Sequence, residues 1–158
     1  MERKALQKLI SDFNPKSRII DTIAIHCTAT KEGMEYSVTT IEKWHKARGF
    51  TQIGYHFIIH LDGTIDPGRT LVLPGAHVEG KNAHSIGVCY VGGLDANGAA
   101  KDTRTGKQKE ALEWLLARLV DRIPTIKEIK GHRDFPRVKK ACPCFDAIPE
   151  YKHLLEKA

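Results

Sequence analysis

Ile23-Ala24-Ile25-His26-Cys27-Thr28-Ala29-Thr30 is the stretch from which the rest of the chain is read. Its apolar, β-branched start predicts a strand over residues 19–28. Successive side chains of a strand point to opposite faces, so Ile23, Ile25 and Cys27 share one face while Ala24, His26 and Thr28 share the other. If His26 looks into a site, Cys27 looks away from it, which makes Cys27 a poor candidate for any ligand set that includes His26. A second strand is expected at residues 85–91, Ser85-Ile86-Gly87-Val88-Cys89-Tyr90-Val91.

Working outward, helical and extended segments interleave. Ala5, Leu6, Leu9, Ile10 and Phe13 recur at helical spacing and predict an amphipathic N-terminal helix that Asn14-Pro15 ends. Val38, Ile41, Trp44 and Arg48 line one side of a second helix closed by Gly49. Residues 54–60 read as a strand that turns through Leu61-Asp62-Gly63-Thr64, since Asp-Gly between apolar runs is a hairpin signal. Thr105 and Gln108 have capping-box spacing, and Leu112, Leu115, Leu116 and Leu119 give the apolar stripe of a third helix ending near Pro124. A short strand over 125–130, a loop, and a final helix from about 147 complete the chain. This alternation predicts an α/β fold: one domain, a mixed β-sheet flanked by helices. Residues 1–18 form a helical extension and residues 19–158 the catalytic core.

Size and composition set the limits. At 158 residues the chain can bury a core of its own. It carries 25 Lys and Arg against 19 Asp and Glu, a formal charge of +6. A basic surface suits a polyanion such as nucleic acid, anionic lipid or an acidic wall polymer. No nucleic-acid motif accompanies it. The densest cationic run is Arg133 to Lys140. No run of 18 apolar residues exists, so no helical membrane span is expected. Residues 1–13 mix charged and apolar positions, unlike a secretory signal. The expectation is synthesis in the cytoplasm with reduced cysteines, and a monomer. Cys142 and Cys144 stand too close in sequence to pair readily with each other.

His26, His132 and a cysteine near 142 offer a candidate metal set on segments far apart in sequence. Two imidazoles and one thiolate leave zinc's fourth tetrahedral position open, as catalytic zinc sites do. On composition alone either Cys142 or Cys144 serves as the sulfur.

Further blocks accompany His26 in a fixed order: Trp44-His45, Gly54-Tyr55-His56-Phe57-Ile58-Ile59, Asp62-Gly63-Thr64, Gly75-Ala76-His77, Asn82, Ser85-Ile86-Gly87-Val88, Gly92-Gly93, Gly131-His132-Arg133-Asp134 and Lys140-Ala141-Cys142-Pro143. Over roughly residues 20–150 this ordered set resembles the zinc-dependent N-acetylmuramoyl-L-alanine amidases of the type-2 family. That family includes phage lysozymes of the amidase kind and the peptidoglycan recognition proteins.

The resemblance implies a groove along the sheet with Zn2+ at its floor. Its ligands are His26, His132 and Cys142, the cysteine being chosen over Cys144 because Lys-x-Cys-Pro puts it at the family's ligand position. The resemblance makes Tyr55 and Lys140 the catalytic candidates. It places His77 and Asn82 in a groove-lining loop that binds the sugar–peptide substrate. The implied substrate is peptidoglycan or its muropeptides, cut between N-acetylmuramic acid and L-alanine, in a lytic role that requires release or export to the cell wall. Two alternatives stand beside it: a cytoplasmic amidase that recycles muropeptides, and a peptidoglycan-binding module without activity. Filled ligand positions favour catalysis over mere binding. Some phage amidases also regulate an intracellular protein partner, but no residues here identify that role.

Overall fold

A computed structural model describes residues 1–156. Five strands form the main sheet: β1 (Thr22–Cys27), β3 (Phe57–Ile59), β4 (Ile65–Pro67), β5 (Ser85–Tyr90) and β7 (Glu128–Gly131), in the order β4-β3-β5-β1-β7. β1 lies between β5 and β7, parallel to both, with His26 opposite Cys89 and Ile25 opposite Gly131. β3 runs parallel to β5 and antiparallel to β4. The sheet is mixed, as expected. The expected hairpin is present, with the His60 N–H donating to the Thr64 carbonyl at 2.8 Å. Gly63 turns the chain at φ +86°, a left-handed conformation that costs glycine little.

Both faces of β1 are covered. On one face Ile23, Ile25, Phe57, Ile59, Ile86, Val88 and Tyr90 meet three helices: α1 (Arg3–Asp12), α3 (Gly106–Arg122) and α4 (Ala147–Leu155). Leu6, Ile10 and Phe13 of the N-terminal segment belong to this same core. The residues of opposite parity face the other way. There Ile58 packs with Ile41 and Ile53 beneath α2 (Val38–Ala47), and Ala24 packs with Val78 and Phe135. Among the described residues, α2 is the α-helix over this second face, loops carrying Val78 and Phe135 cover part of it, and a groove remains beside them.

Local details depart from the sequence expectation where tertiary contacts decide. α2 buries Ile41 and His45, whereas Trp44 is 38 % exposed and meets Tyr36 edge-on with ring centroids 5.0 Å apart. A histidine that accepts a backbone hydrogen bond, the Gly54 N–H at 2.8 Å, replaces the expected tryptophan on the inner face. β3 starts at Phe57, after residues 54–56 have been drawn into contact with the loop carrying Ala76. Strand β7 starts at Glu128, because residues 123–126 first form a turn. A two-stranded parallel sheet, β2 (Thr30–Lys31) with β6 (Gly93–Leu94), has too few residues to leave a pattern in the sequence.

Candidate metal and catalytic site

The parity of β1 turns His26 onto the groove face. β7 stops at Gly131, and the chain then enters a single helical turn over His132–Asp134. His132 therefore lies just past the carboxyl end of one strand, beside the last residues of its neighbour. Ligand sites of open α/β sheets form at such carboxyl ends. The two imidazole centroids are 4.6 Å apart.

Cys142 arrives from the loop that follows. The Arg133 N–H donates to the Cys142 carbonyl at 2.8 Å, and the Tyr90 hydroxyl to the Pro143 carbonyl at 2.6 Å. Since β7 ends opposite Ile25, the Cys27 N–H has no strand partner on that side. It donates instead to Cys142 Sγ at 3.2 Å. One ligand atom each from His26, His132 and Cys142 falls within a 4.8 Å span.

This donor set fits a zinc ion: three borderline or soft ligands on a compact face, with one coordination position left over. The Cys27 N–H aimed at Cys142 Sγ fixes the position of that sulfur beside the two imidazoles. Burial, with His77, His132 and Lys140 nearby, holds His26 well below the ordinary imidazole range. Burial and Lys140 lower His132 as well. Both rings are thus neutral at physiological pH, with a lone pair to offer. Cys144 is turned elsewhere: its Sγ lies 3.3 Å from the Gly93 carbonyl, and burial pushes the thiol up to about 11. Cys27 Sγ sits in the main core, a protonated thiol raised by its contact with Cys142 and by burial.

Tyr55 and Lys140 flank this cluster. The Tyr55 ring lies 5.2 Å from that of His26 and 5.1 Å from that of His45. Burial, and then the sulfurs of Cys89 and Cys142, push its phenol well above the ordinary range, so it stays protonated and can donate. The Lys140 side chain is exposed at the groove edge, near enough to lower both metal-site histidines.

His77 and Asn82 also line the groove, and contacts within the protein engage both His77 ring nitrogens and Asn82 Oδ1. Asn82 Oδ1 accepts the backbone N–H groups of His77 and Val78, both at 3.0 Å. His77 Nδ1 lies 2.9 Å from His26 Nε2. The sequence did not reveal two other histidine roles. His45 lines the groove and packs on Tyr55. His56 is buried, accepting the Gly87 N–H at 3.0 Å and meeting the Leu73 carbonyl at 2.8 Å. Arg18, also missed, reaches from the N-terminal segment to the carbonyls of Leu71, Asn82, Ala83 and Ser85 and holds the loop that carries His77.

The groove measures about 1270 Å³. Arg48, Lys81, Arg137, Lys139 and Lys140 line it, against the single carboxylate of Glu79. This cationic lining favours a ligand bearing carboxylates.

A mixed sheet with a His-His-Cys cluster at its carboxyl end offers a compact donor set in an open groove, the kind of site that fits a hydrolase. Residues 15–145 match the family model for N-acetylmuramoyl-L-alanine amidase, and the chain belongs to that family. It is 44 % identical over 122 residues to the endolysin of Enterobacteria phage K11, covering 77 % of this chain and 79 % of that one. Its structure is similar to the N-acetylmuramoyl-L-alanine amidase LysC from Clostridium intestinale URNW, with a TM-score of 0.73, 29 % identity and 89 % coverage of both chains. It is also similar to the ectodomain complex of the peptidoglycan recognition proteins LCa and LCx bound to tracheal cytotoxin. There the TM-score is 0.67 at 27 % identity, over 84 % of this chain and 81 % of that one. The chain is therefore an amidase whose substrate bond joins N-acetylmuramic acid to L-alanine. Among the described residues, no helix is long and apolar enough to cross a membrane.

Proposed function

We infer that the protein is a lytic, zinc-dependent amidase that strips stem peptides from the glycan of the cell wall. The single observation that carries this reading is the convergence of His26, His132 and Cys142 within 4.8 Å at the floor of an open groove. Likeness to a phage endolysin supports the lytic role over muropeptide recycling. A complete donor set argues against a module that only binds. The whole chain acts as one catalytic domain, because the N-terminal helix shares the main core.

His26, His132 and Cys142 would hold a zinc ion, which when bound would supply Lewis-acid chemistry to the amide carbonyl and to water. The protein's own residues do the rest. The groove aligns an extended peptidoglycan strand so that its lactyl–alanine amide lies across the three-residue cluster. Tyr55, a protonated phenol beside His26, donates a hydrogen bond to the oxygen that gains charge as the carbonyl becomes tetrahedral. Lys140 brings a positive charge to that same oxygen from the groove edge. The basic rim holds the stem peptide's carboxylates.

Metal analysis of purified protein and of the Cys142→Ser and Cys144→Ser variants tests the ligand set. One zinc per wild-type chain, lost in Cys142→Ser and kept in Cys144→Ser, is the expected pattern. The reverse pattern would assign the sulfur to Cys144.

A further inference from the structure

Which nitrogen of His26 can face a bound ion is decided by the partner of the other nitrogen. Among the described groove residues, His77 alone touches His26 through a ring nitrogen, at 2.9 Å between His77 Nδ1 and His26 Nε2. Its other nitrogen, Nε2, lies 3.3 Å from Ser85 Oγ. Ser85 Oγ in turn donates to the Lys81 carbonyl at 2.8 Å. A hydroxyl has one proton, and here the shorter contact to a carbonyl takes it. Ser85 Oγ is then an acceptor toward His77, so His77 carries its proton on Nε2. Its Nδ1 is consequently an acceptor, and the proton between the two rings sits on His26 Nε2. His26 is left with a bare lone pair on Nδ1.

The His77 ring cannot swing out of this chain of contacts. It is wedged between two glycines, one on β5 and one on the loop before it. A Cβ at Gly87 would fall 2.8 Å from His77 Cγ and Cδ2, and one at Gly75 would fall 2.6 Å from His77 Cδ2. Both positions leave room for the ring only because they lack a side chain. The two ring planes are perpendicular, at 89°, and a centroid separation of 5.0 Å with a 2.9 Å nitrogen–nitrogen contact means that the two nitrogens point at each other.

We propose that His77 is a positioning residue: the relay Lys81 carbonyl, Ser85 hydroxyl, His77 imidazole fixes the tautomer and rotation of His26, presenting Nδ1 as the metal donor. Ligating histidines are commonly held in this way by an acceptor on their other nitrogen, and loss of that acceptor weakens metal binding about 10- to 100-fold. What is unusual here is that the acceptor is a second neutral histidine whose own tautomer a serine sets. Its groove-lining position is then incidental to substrate, and its effect passes through the ligand.

The proposal rests on His26 being a metal ligand, and two readouts separate the claims. Long-range 1H–15N spectra of the imidazoles in metal-free protein report tautomers without any metal. His26 and His77 should both show protonated Nε2 and bare Nδ1. A protonated Nδ1 on either ring would overturn the relay, whatever the zinc content. Zinc affinity by chelator competition, and the absorption spectrum of the cobalt-substituted protein, report the site. His77→Leu should weaken zinc about 10- to 100-fold and alter the cobalt bands. His77→Asn can place its amide oxygen where Nδ1 stood and should recover most of the loss. Unchanged affinity and cobalt bands in His77→Leu, or no recovery in His77→Asn, would refute the role. If His77→Leu fails to fold, the wild-type tautomers and His77→Asn still decide. Absence of zinc binding in wild-type protein, or its retention in His26→Ala, would instead defeat the metal-site reading itself.

Discussion

At the scale of single residues, the proposed site divides into groups assigned to the reaction, Tyr55 and Lys140, and groups assigned to the metal, His26, His132 and Cys142. Tyr55→Phe keeps the ring between His26 and His45 but removes the donor. Lys140→Ala removes an exposed charge. Each should lower turnover on purified sacculi about 100-fold or more, roughly 3 kcal/mol, with zinc content and melting temperature near wild type. A variant that keeps near-wild-type turnover removes that residue from the chemistry. The sequence made His26 legible because strand parity is local: one alternation placed it opposite the core. It separated Cys142 from Cys144 only by likeness to a family. The physical reason for that choice, the free Cys27 N–H left where β7 ends, needs two strands and a loop together. The partnership of His77 with His26 was illegible for the same reason. It joins residues 51 positions apart through a loop with no regular pattern.

At the scale of elements, the helices were legible where their ends carry side-chain signals. The Thr105 and Gln108 capping box is present, with Thr105 Oγ1 accepting the Gln108 N–H at 3.0 Å and Gln108 Oε1 accepting the Thr105 N–H at 2.9 Å. α2 was read one residue off its buried face, because tryptophan outranks histidine in any apolar pattern until histidine finds a buried partner. Arg104 gave no warning at all. It is nearly buried, bonds Asp102, Glu150 and the Tyr151 hydroxyl, and lies 3.3 Å above the Phe145 ring. Burial alone would lower this guanidinium, but its bonds to Glu150 and Asp102 outweigh that and raise it. It pins α4 to the segment before α3. Arg104→Met should cost about 3 kcal/mol, the low end for a broken buried pair, because the two carboxylates it leaves are partly in water. Urea unfolding should show a lower midpoint at an unchanged m-value. An unshifted midpoint would mean that α4 docks without it.

At the scale of the whole molecule, the core and most of the site are separate. The main cluster lies on one face of the sheet and His26 and His132, two of the three proposed ligands, on the other, while Cys142 packs against the edge of that cluster. Chelation should therefore abolish activity while the far-ultraviolet circular dichroism stays native; global unfolding on metal removal would show that the ion holds the fold. Acid should act on the metal-free protein through its histidines. Burial lowers His56 to about 4, and lowers His26, His45, His77 and His132 as well. The unfolded chain takes up these protons near the ordinary imidazole value and the folded chain does not. Stability is thus full above that value and falls with pH until the folded value is passed. For His56 the window runs from about 6.5 to about 4 and spans roughly 3 kcal/mol. The urea midpoint of metal-free protein should decline steadily across it, and a flat profile would mean that these rings are not held neutral.

The most direct test of the functional reading is mass spectrometry of the material released from purified sacculi by zinc-loaded protein. Intact stem peptides with a new amino-terminal L-alanine should appear, leaving glycan chains of unchanged length, and Cys142→Ser should release none. New glycan reducing ends, peptides cut within the stem, or full release by Cys142→Ser would show that the chemistry lies elsewhere.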